Sequence, residues 1–114
     1  MIKDYNQLEI YWVDLDPTKG SKTKKKMPCA ILQSSLINKS SRTLIVCPIL
    51  PGHKSWPFVV NVTPSSRNGI DKDRHLNLKQ IRVIDVSRID SYQGALEFEY
   101  LDEVKKKICL IFDI

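Results

Sequence analysis

The sequence is short of everything a metal centre or a disulfide framework needs. Its 114 residues include three cysteines and two histidines. Cys29, Cys47 and Cys109 are odd in number, far apart and flanked by apolar residues. That spacing fits neither a disulfide framework nor a zinc site, both of which need paired ligands, and it predicts three buried core thiols. His53 and His75 stand alone, so no metal and no cofactor are expected.

Long apolar runs are missing as well. No stretch approaches the roughly 20 residues that cross a bilayer. The amino-terminal "MIKDYNQ" lacks the apolar core of a secretory signal. A cytoplasmic protein that does not meet the membrane is therefore expected. There is no internal repeat, linker or low-complexity tail, and 114 residues are too few for two independent cores. One domain over 1–114 is expected, and 42% hydrophobic content is enough to fill its core.

What is present is positive charge, and it is concentrated. The net charge is +5, from 18 lysines and arginines against 13 acids. The segment "TKGSKTKKKM" (18–27) carries Lys19, Lys22, Lys24, Lys25 and Lys26 and no acidic residue. A field gathered in one segment attracts phosphate backbones in a salt-dependent way. Lysines at a loop tip also keep it soluble and blunt edge pairing. Charge alone leaves both readings open.

The pattern along the chain is mainly that of short strands. "LEIYWVDLD" (8–16) is aromatic and branched and stops at a proline turn, which Asp14 and Asp16 are expected to order. "PCAILQS" (28–34) opens on Pro28, where a missing amide does least harm. "TLIVCPIL" (43–50) reads as a strand buried on both faces, and "PFVVNVT" (57–63) as a fourth strand. "HLNLKQIRVID" (75–85) looks like a short strand entering a turn or a single helical turn. "ALEFEY" (95–100) alternates like a half-exposed strand. In "LDEVKKKICLIF" (101–112), Leu101, Val104, Ile108 and Ile111 recur at helical spacing. The expected fold is mainly β (α+β), a small antiparallel partial barrel of about five to six strands with a C-terminal α-helix.

The exposed loop "PGHKSW" (51–56) carries His53, Lys54 and Trp56. A histidine with its ordinary pKa near 6.5 suits proton shuttling. An exposed tryptophan suits stacking on an unpaired base.

These segments carry a resemblance. "YWVDLDPTKGS" followed by a basic loop, an x-Pro dipeptide and an apolar strand resembles the start of the MazF/PemK family of bacterial mRNA interferases. "SWPF" (55–58) is similar to that family's aromatic-Pro-Phe segment, and "QIRVIDVSRI" (80–89) to its Q-x-R-x-I-D-x-x-R-[LI] block. The resemblance implies a single MazF/PemK-like domain with the CcdB/PemK-like fold, assembled as a homodimer. It implies the toxin of a toxin–antitoxin pair, cutting single-stranded RNA without a metal. In that chemistry a ribose 2′-hydroxyl attacks the adjacent phosphate, which calls for a base, an acid and cationic groups at the phosphate. A cognate acidic antitoxin would block the basic groove.

The chain departs from the family pattern where that pattern carries chemistry. Met27 stands where the family has an arginine before the strand-opening proline, and Leu50 where it has a catalytic Thr or Ser. Neither side chain can give up a proton or pair with a phosphate. Lys22 replaces a Glu or His, and Asn77 and Lys79 fall where one branch has Arg and Asp. A rebuilt site would draw on His53 and Lys79 as catalytic residues. Lys19, Lys22, Lys24, Lys25, Lys26, Lys54 and Trp56 would then hold RNA. The alternatives are a member that binds RNA or antitoxin without cutting, or a CcdB-like gyrase poison. The latter's C-terminal Trp-Gly-Ile survives here only as the Ile of Phe112-Asp113-Ile114. Arg82, Asp85 and Arg88 are expected to form a structural ion-pair network around a turn.

Overall fold

A computed structural model of the chain describes residues 4–15 and 25–114. The strands are β1 (Glu9–Asp14), β2 (Lys26–Ile31), β3 (Thr43–Pro51), β4 (Val59–Val62), β5 (Arg74–Asn77), β6 (Arg82–Asp85) and β7 (Ile89–Ala95). A short helix α1 (Ser35–Asn38) follows β2, and helix α2 (Glu99–Phe112) closes the chain. All pairings are antiparallel, in the order β4-β5-β3-β2-β1-β7, with β6 also beside β3.

Nine-residue β3 organises the sheet. Its Val46–Pro48 segment pairs with Ile31–Cys29 of β2. On its other edge, Thr43–Val46 pairs with β6 and Ile49–Pro51 with β5. The 3₁₀ turn Leu78–Gln80 carries the chain from one partner to the next. One strand thus takes part in two arms of a curled sheet.

Successive side chains of a strand point to opposite faces, and here both faces are buried. Ile10, Ala30, Cys47 and Ile49 pack with Val60, Val62 and Leu76 and with Leu101 and Val104 of α2. Their neighbours Tyr11, Cys29, Ile31 and Val46 form a second cluster with Val13, Leu44 and Ile84. The continuous apolar reading of 43–50 follows from this arrangement.

Four local expectations need correction. The sheet has seven strands among the described residues, because β6 and β7 form from 82–95. The "ALEFEY" segment is not a strand: β7 ends at Ala95 and α2 begins at Glu99. Its alternation spans only six residues, and buried Leu96 and Leu101 meet the core as strand exit and first helical turn. Pro28 is the third residue of β2, paired with Trp12 of β1 but beyond the β2–β3 pairs. Cys29 and Cys47 are buried as expected, whereas Cys109 is exposed. Its apolar neighbour Ile108 turns inward, and a helix rotates about 100° per residue, so Cys109 points to solvent.

Candidate nucleic-acid interface

The loop between β3 and β4 is held by its own backbone. Gly52, with φ +79°, donates its N–H to the Asp73 carbonyl at 2.9 Å. The Lys54 N–H donates to Asn61 Oδ1, and Asn61 Nδ2 returns a bond to the Lys54 carbonyl, both at 2.9 Å. The Trp56 carbonyl accepts from Val59 N–H, and the Phe58 carbonyl from Leu78 N–H. With the backbone fixed at these points, the Lys54 and Trp56 side chains stand exposed.

These side chains form a ladder with a residue 21 positions beyond Phe58 in the sequence. The rings of Trp56 and Phe58 stack, with centroids 5.6 Å apart and planes 18° apart. Lys54 Nζ lies 5.6 Å from the Trp56 ring centre, and Lys79 Nζ 4.9 Å from that of Phe58. Lys79 is placed by the 3₁₀ turn Leu78–Gln80, where its own N–H donates to the capping Asn77 Oδ1 at 3.0 Å. Trp56 is 48% exposed, so the aromatic-Pro-Phe segment does not bury it. An ammonium over each of two stacked rings suits a single-stranded polyanion, whose bases stack and whose phosphates pair with cations.

The two histidines flank this loop. A carbonyl can only accept, so His53 Nε2, 3.0 Å from the Val62 carbonyl, carries the proton and leaves Nδ1 as the basic nitrogen. Asp73 Oδ1 lies 3.8 Å from the same ring. His75 is buried on β5 and donates from Nδ1 to the Gly52 carbonyl at 2.7 Å. Sequence reasoning passed over His75 as isolated, although its β5 position places it opposite Leu50.

Other expected site residues lie elsewhere. Lys19, Lys22 and Lys24, with Asp16, fall outside the described residues. Lys25 and Lys26 are exposed, and Lys26 Nζ sits 3.2 Å from Asp90 of β7. That surface pair contributes little stability. Lys26 opens β2, which lies between β3 and β1, and Lys79 sits in the turn after β5. Asp85 caps the second 3₁₀ turn, Val86–Arg88, through Ser87 N–H at 2.8 Å. Arg88 donates to the Asp14 carbonyl at 3.3 Å. Both act as supports of the turn. Arg82 is exposed. Burial pushes the Cys29 thiol up to about 12 against a smaller lowering by Arg82.

Met27 pairs with Val13 and Leu50 with His75, and both are half-buried. Between α2 and the sheet lies an apolar hollow of about 580 Å³, walled by Leu32, Ile45, Ile81, Ile108 and Ile111, with Lys79 also lining it. Among the described residues, no three His, Cys, Asp or Glu side chains gather as metal ligands. No helix there is long and apolar enough to cross a membrane.

The profile of a family described as "PemK-like, MazF-like toxin of type II toxin-antitoxin system" matches residues 6–112. The chain belongs to that family. Endoribonuclease EndoA of Bacillus subtilis (strain 168) is 29% identical over 101 residues, covering 88% of this chain and 87% of the relative. The crystal structure of MazF (Form-I) from Deinococcus radiodurans superposes with a TM-score of 0.77 at 19% identity, over 99% of this chain and 100% of that one. An endoribonuclease in complex with its cognate antitoxin from Mycobacterial species gives a TM-score of 0.78 at 12% identity, over 96% of both chains. At such identities the structural likeness shows the fold alone.

Proposed function

We propose that this toxin is a cytoplasmic, metal-independent endoribonuclease that cuts single-stranded RNA. The observation that carries this reading is the Lys54–Trp56–Phe58–Lys79 ladder on a scaffold of this toxin family. A surface of stacked rings and ammonium groups takes unpaired bases and phosphates together, and discriminates against duplex, whose bases are already stacked.

In this reading the proton transfers and charge stabilisation fall to this chain's own side chains. His53 Nδ1 takes the proton from a ribose 2′-hydroxyl, whose oxygen attacks the adjacent phosphorus. The bond from phosphorus to the 5′-oxygen breaks, a 2′,3′-cyclic phosphate forms, and the leaving oxygen takes a proton from the Lys79 ammonium. Lys79 and Lys54 offset the charge that builds on the phosphoryl oxygens. Lysine does this as a point charge, without the bidentate fork of arginine. The working unit is a homodimer of one domain over 1–114, and an acidic antitoxin segment silences it by covering the same cations.

The test is purified, antitoxin-free protein with a long single-stranded RNA at low salt in the presence of chelator. Discrete fragments ending in 2′,3′-cyclic phosphate, lost in His53→Ala and Lys79→Ala, are expected. Intact RNA with a folded, dimeric protein would overturn the enzyme and leave a binding protein.

A further inference from the structure

A second, smaller cavity lies away from the ladder. It measures about 200 Å³ and is lined by Trp12, Pro28, Gly69, Asp71, Arg74 and Gln93. Sites for drug-sized ligands run to about 300–1,000 Å³, so this one has room for a single small ring system. Two flat apolar groups, Trp12 and Pro28, are cross-strand partners on β1 and β2. Trp12 is 38% exposed, which is unusual for a ring in the interior of a five-partner strand ladder and leaves an aromatic face accessible.

The remaining lining is polar and ordered. Arg74 Nε donates to Asp71 Oδ1 at 3.0 Å, which fixes the guanidinium against the carboxylate. Arg74 keeps its Nη groups beyond that bond, and Asp71 keeps its second oxygen. Asp71 is 66% exposed while Arg74 is 18% exposed, so the carboxylate stands at the mouth and the guanidinium is held within. The hydrogen bond from Arg74 holds the Asp71 carboxyl below its ordinary value, and at neutral pH it only accepts. Gln93 Nε2 reaches the Asn68 carbonyl at 3.4 Å, leaving its Oε1 as a further acceptor. A Cβ on Gly69 would fall 2.8 Å from the Gln93 carbonyl, so glycine keeps this wall close.

An acceptor and a donor side by side match one kind of nucleobase edge. Guanine and uracil each carry an imino N–H next to a keto oxygen, so the N–H can donate to Asp71 while the keto oxygen accepts from Arg74. Adenine and cytosine present an amino group where the keto oxygen would be, which sets donor against donor at Arg74. We infer that this cavity is a base-reading pocket, in which an unpaired keto base stacks on Trp12 and is hydrogen-bonded along its edge by Asp71 and Arg74. This rests on the single-stranded RNA reading above and adds which base the protein selects. Pro28 adjoins Met27 on β2, and Arg74 pairs with Pro51 beside Leu50, so the pocket borders the place where the family pattern has its chemistry. Guanine's additional amino group, facing Gln93 Oε1, favours it over uracil.

The probes are three labelled single strands, each with five cytidines on either side of one guanosine, one uridine or one adenosine. Binding is read by fluorescence anisotropy at one fixed salt concentration. The guanosine and uridine strands are expected to bind about tenfold more tightly than the adenosine strand. Asp71→Asn replaces an acceptor oxygen by an amide N–H₂ that cannot accept from the imino N–H, while Arg74 still opposes the adenine amino group. The guanosine and uridine strands are therefore expected to lose most of their advantage without falling behind adenosine. Trp12→Leu is expected to weaken all three about fivefold or more without changing their order. Loss of folding weakens all three strands alike, so a loss confined to the guanosine and uridine strands separates recognition from stability. Equal binding of all three strands, or a preference left unmoved by Asp71→Asn, overturns the pocket while leaving RNA cleavage standing. Absence of binding to any strand overturns both.

Discussion

Leu50 of β3 pairs with His75 of β5, while Met27 of β2 pairs with Val13 of β1, just past the last β2–β3 pair of Cys29 with Pro48. The two departures from the family pattern lie on adjoining strands, and each puts an apolar side chain where the pattern has a polar one. Met27→Arg combined with Leu50→Thr returns a guanidinium and a hydroxyl to those positions. A single preorganised donor is commonly worth 10²–10³ in rate, so the double variant is expected to cut RNA about a hundredfold faster than the natural chain. Initial rates on one long substrate in chelator decide it. A double variant no faster than its parent would place the chemistry wholly with the loop and turn residues.

The ladder separates charge from stacking. Lys79→Ala removes one cation, and log K against log salt should become shallower by about 0.7 for single-stranded RNA. Trp56→Leu keeps the charge and removes the ring, so the slope should hold while affinity falls by about 1–3 kcal/mol at every salt concentration. Titrations of an unstructured RNA over a salt series measure both quantities. Identical slopes for the parent and Lys79→Ala would show that this ammonium does not meet phosphate.

Much of this fold was legible because its strands are built from branched and aromatic residues with turn residues between them. β1, β3, β4 and α2 fall close to where the sequence placed them. The misreadings have physical causes. Six residues of alternation at 95–100 satisfy a strand and a helix start equally, and only the buried position of Leu96 decides between them. Cys109 has apolar neighbours in sequence, but the apolar stripe of α2 runs through Ile108 and Ile111. The site was harder to read. Lys54, Trp56 and Lys79 could be nominated singly, yet the Phe58–Lys79 contact depends on β4 and β5 pairing, which brings Val59 beside Asn77. The pocket at Trp12 draws on four separate stretches of sequence, and no local pattern connects Arg74 with Gln93.

The thiols differ enough to be counted chemically. Burial pushes Cys29 and Cys47 up to about 12, from an ordinary value of 9.0, while Cys109 is exposed on α2. A thiol that stays protonated inside a fold is inert. One equivalent of an aromatic disulfide reagent should react with the native protein at pH 8 and three after denaturation, following the three cysteines. The same shifts give a pH dependence. Both buried thiols hold protons that the unfolded chain releases near 9, so their contribution is complete below about pH 9. It is lost as pH rises from there toward about 12. Cys29→Ala and Cys47→Ala should flatten that alkaline loss in urea melts.

Gly94 gives the sharpest stability prediction. A Cβ there would lie 2.6 Å from the Arg67 carbonyl oxygen and 2.7 Å from the carbonyl carbon and oxygen of Asn68. All three are backbone atoms, so no side chain can swing away. The turn they belong to is also tied down. The Arg67 carbonyl accepts from Ala95 N–H at 3.0 Å. Fully buried Asn68 donates to the Thr63 carbonyl and Glu97 and accepts from Ser65 and Ile70 amides. Gly94→Ala must displace β7 from that turn, at a cost of about 3 kcal/mol. Gly52 is the control. Nothing lies within 4 Å of its added Cβ, and its φ of +79° is the only obstacle. Gly52→Ala should therefore cost only about 1 kcal/mol. Urea melts of both variants, compared at unchanged slope, read the difference directly. If Gly94→Ala lowers the midpoint no more than Gly52→Ala does, β7 is not pressed against the 67–68 backbone.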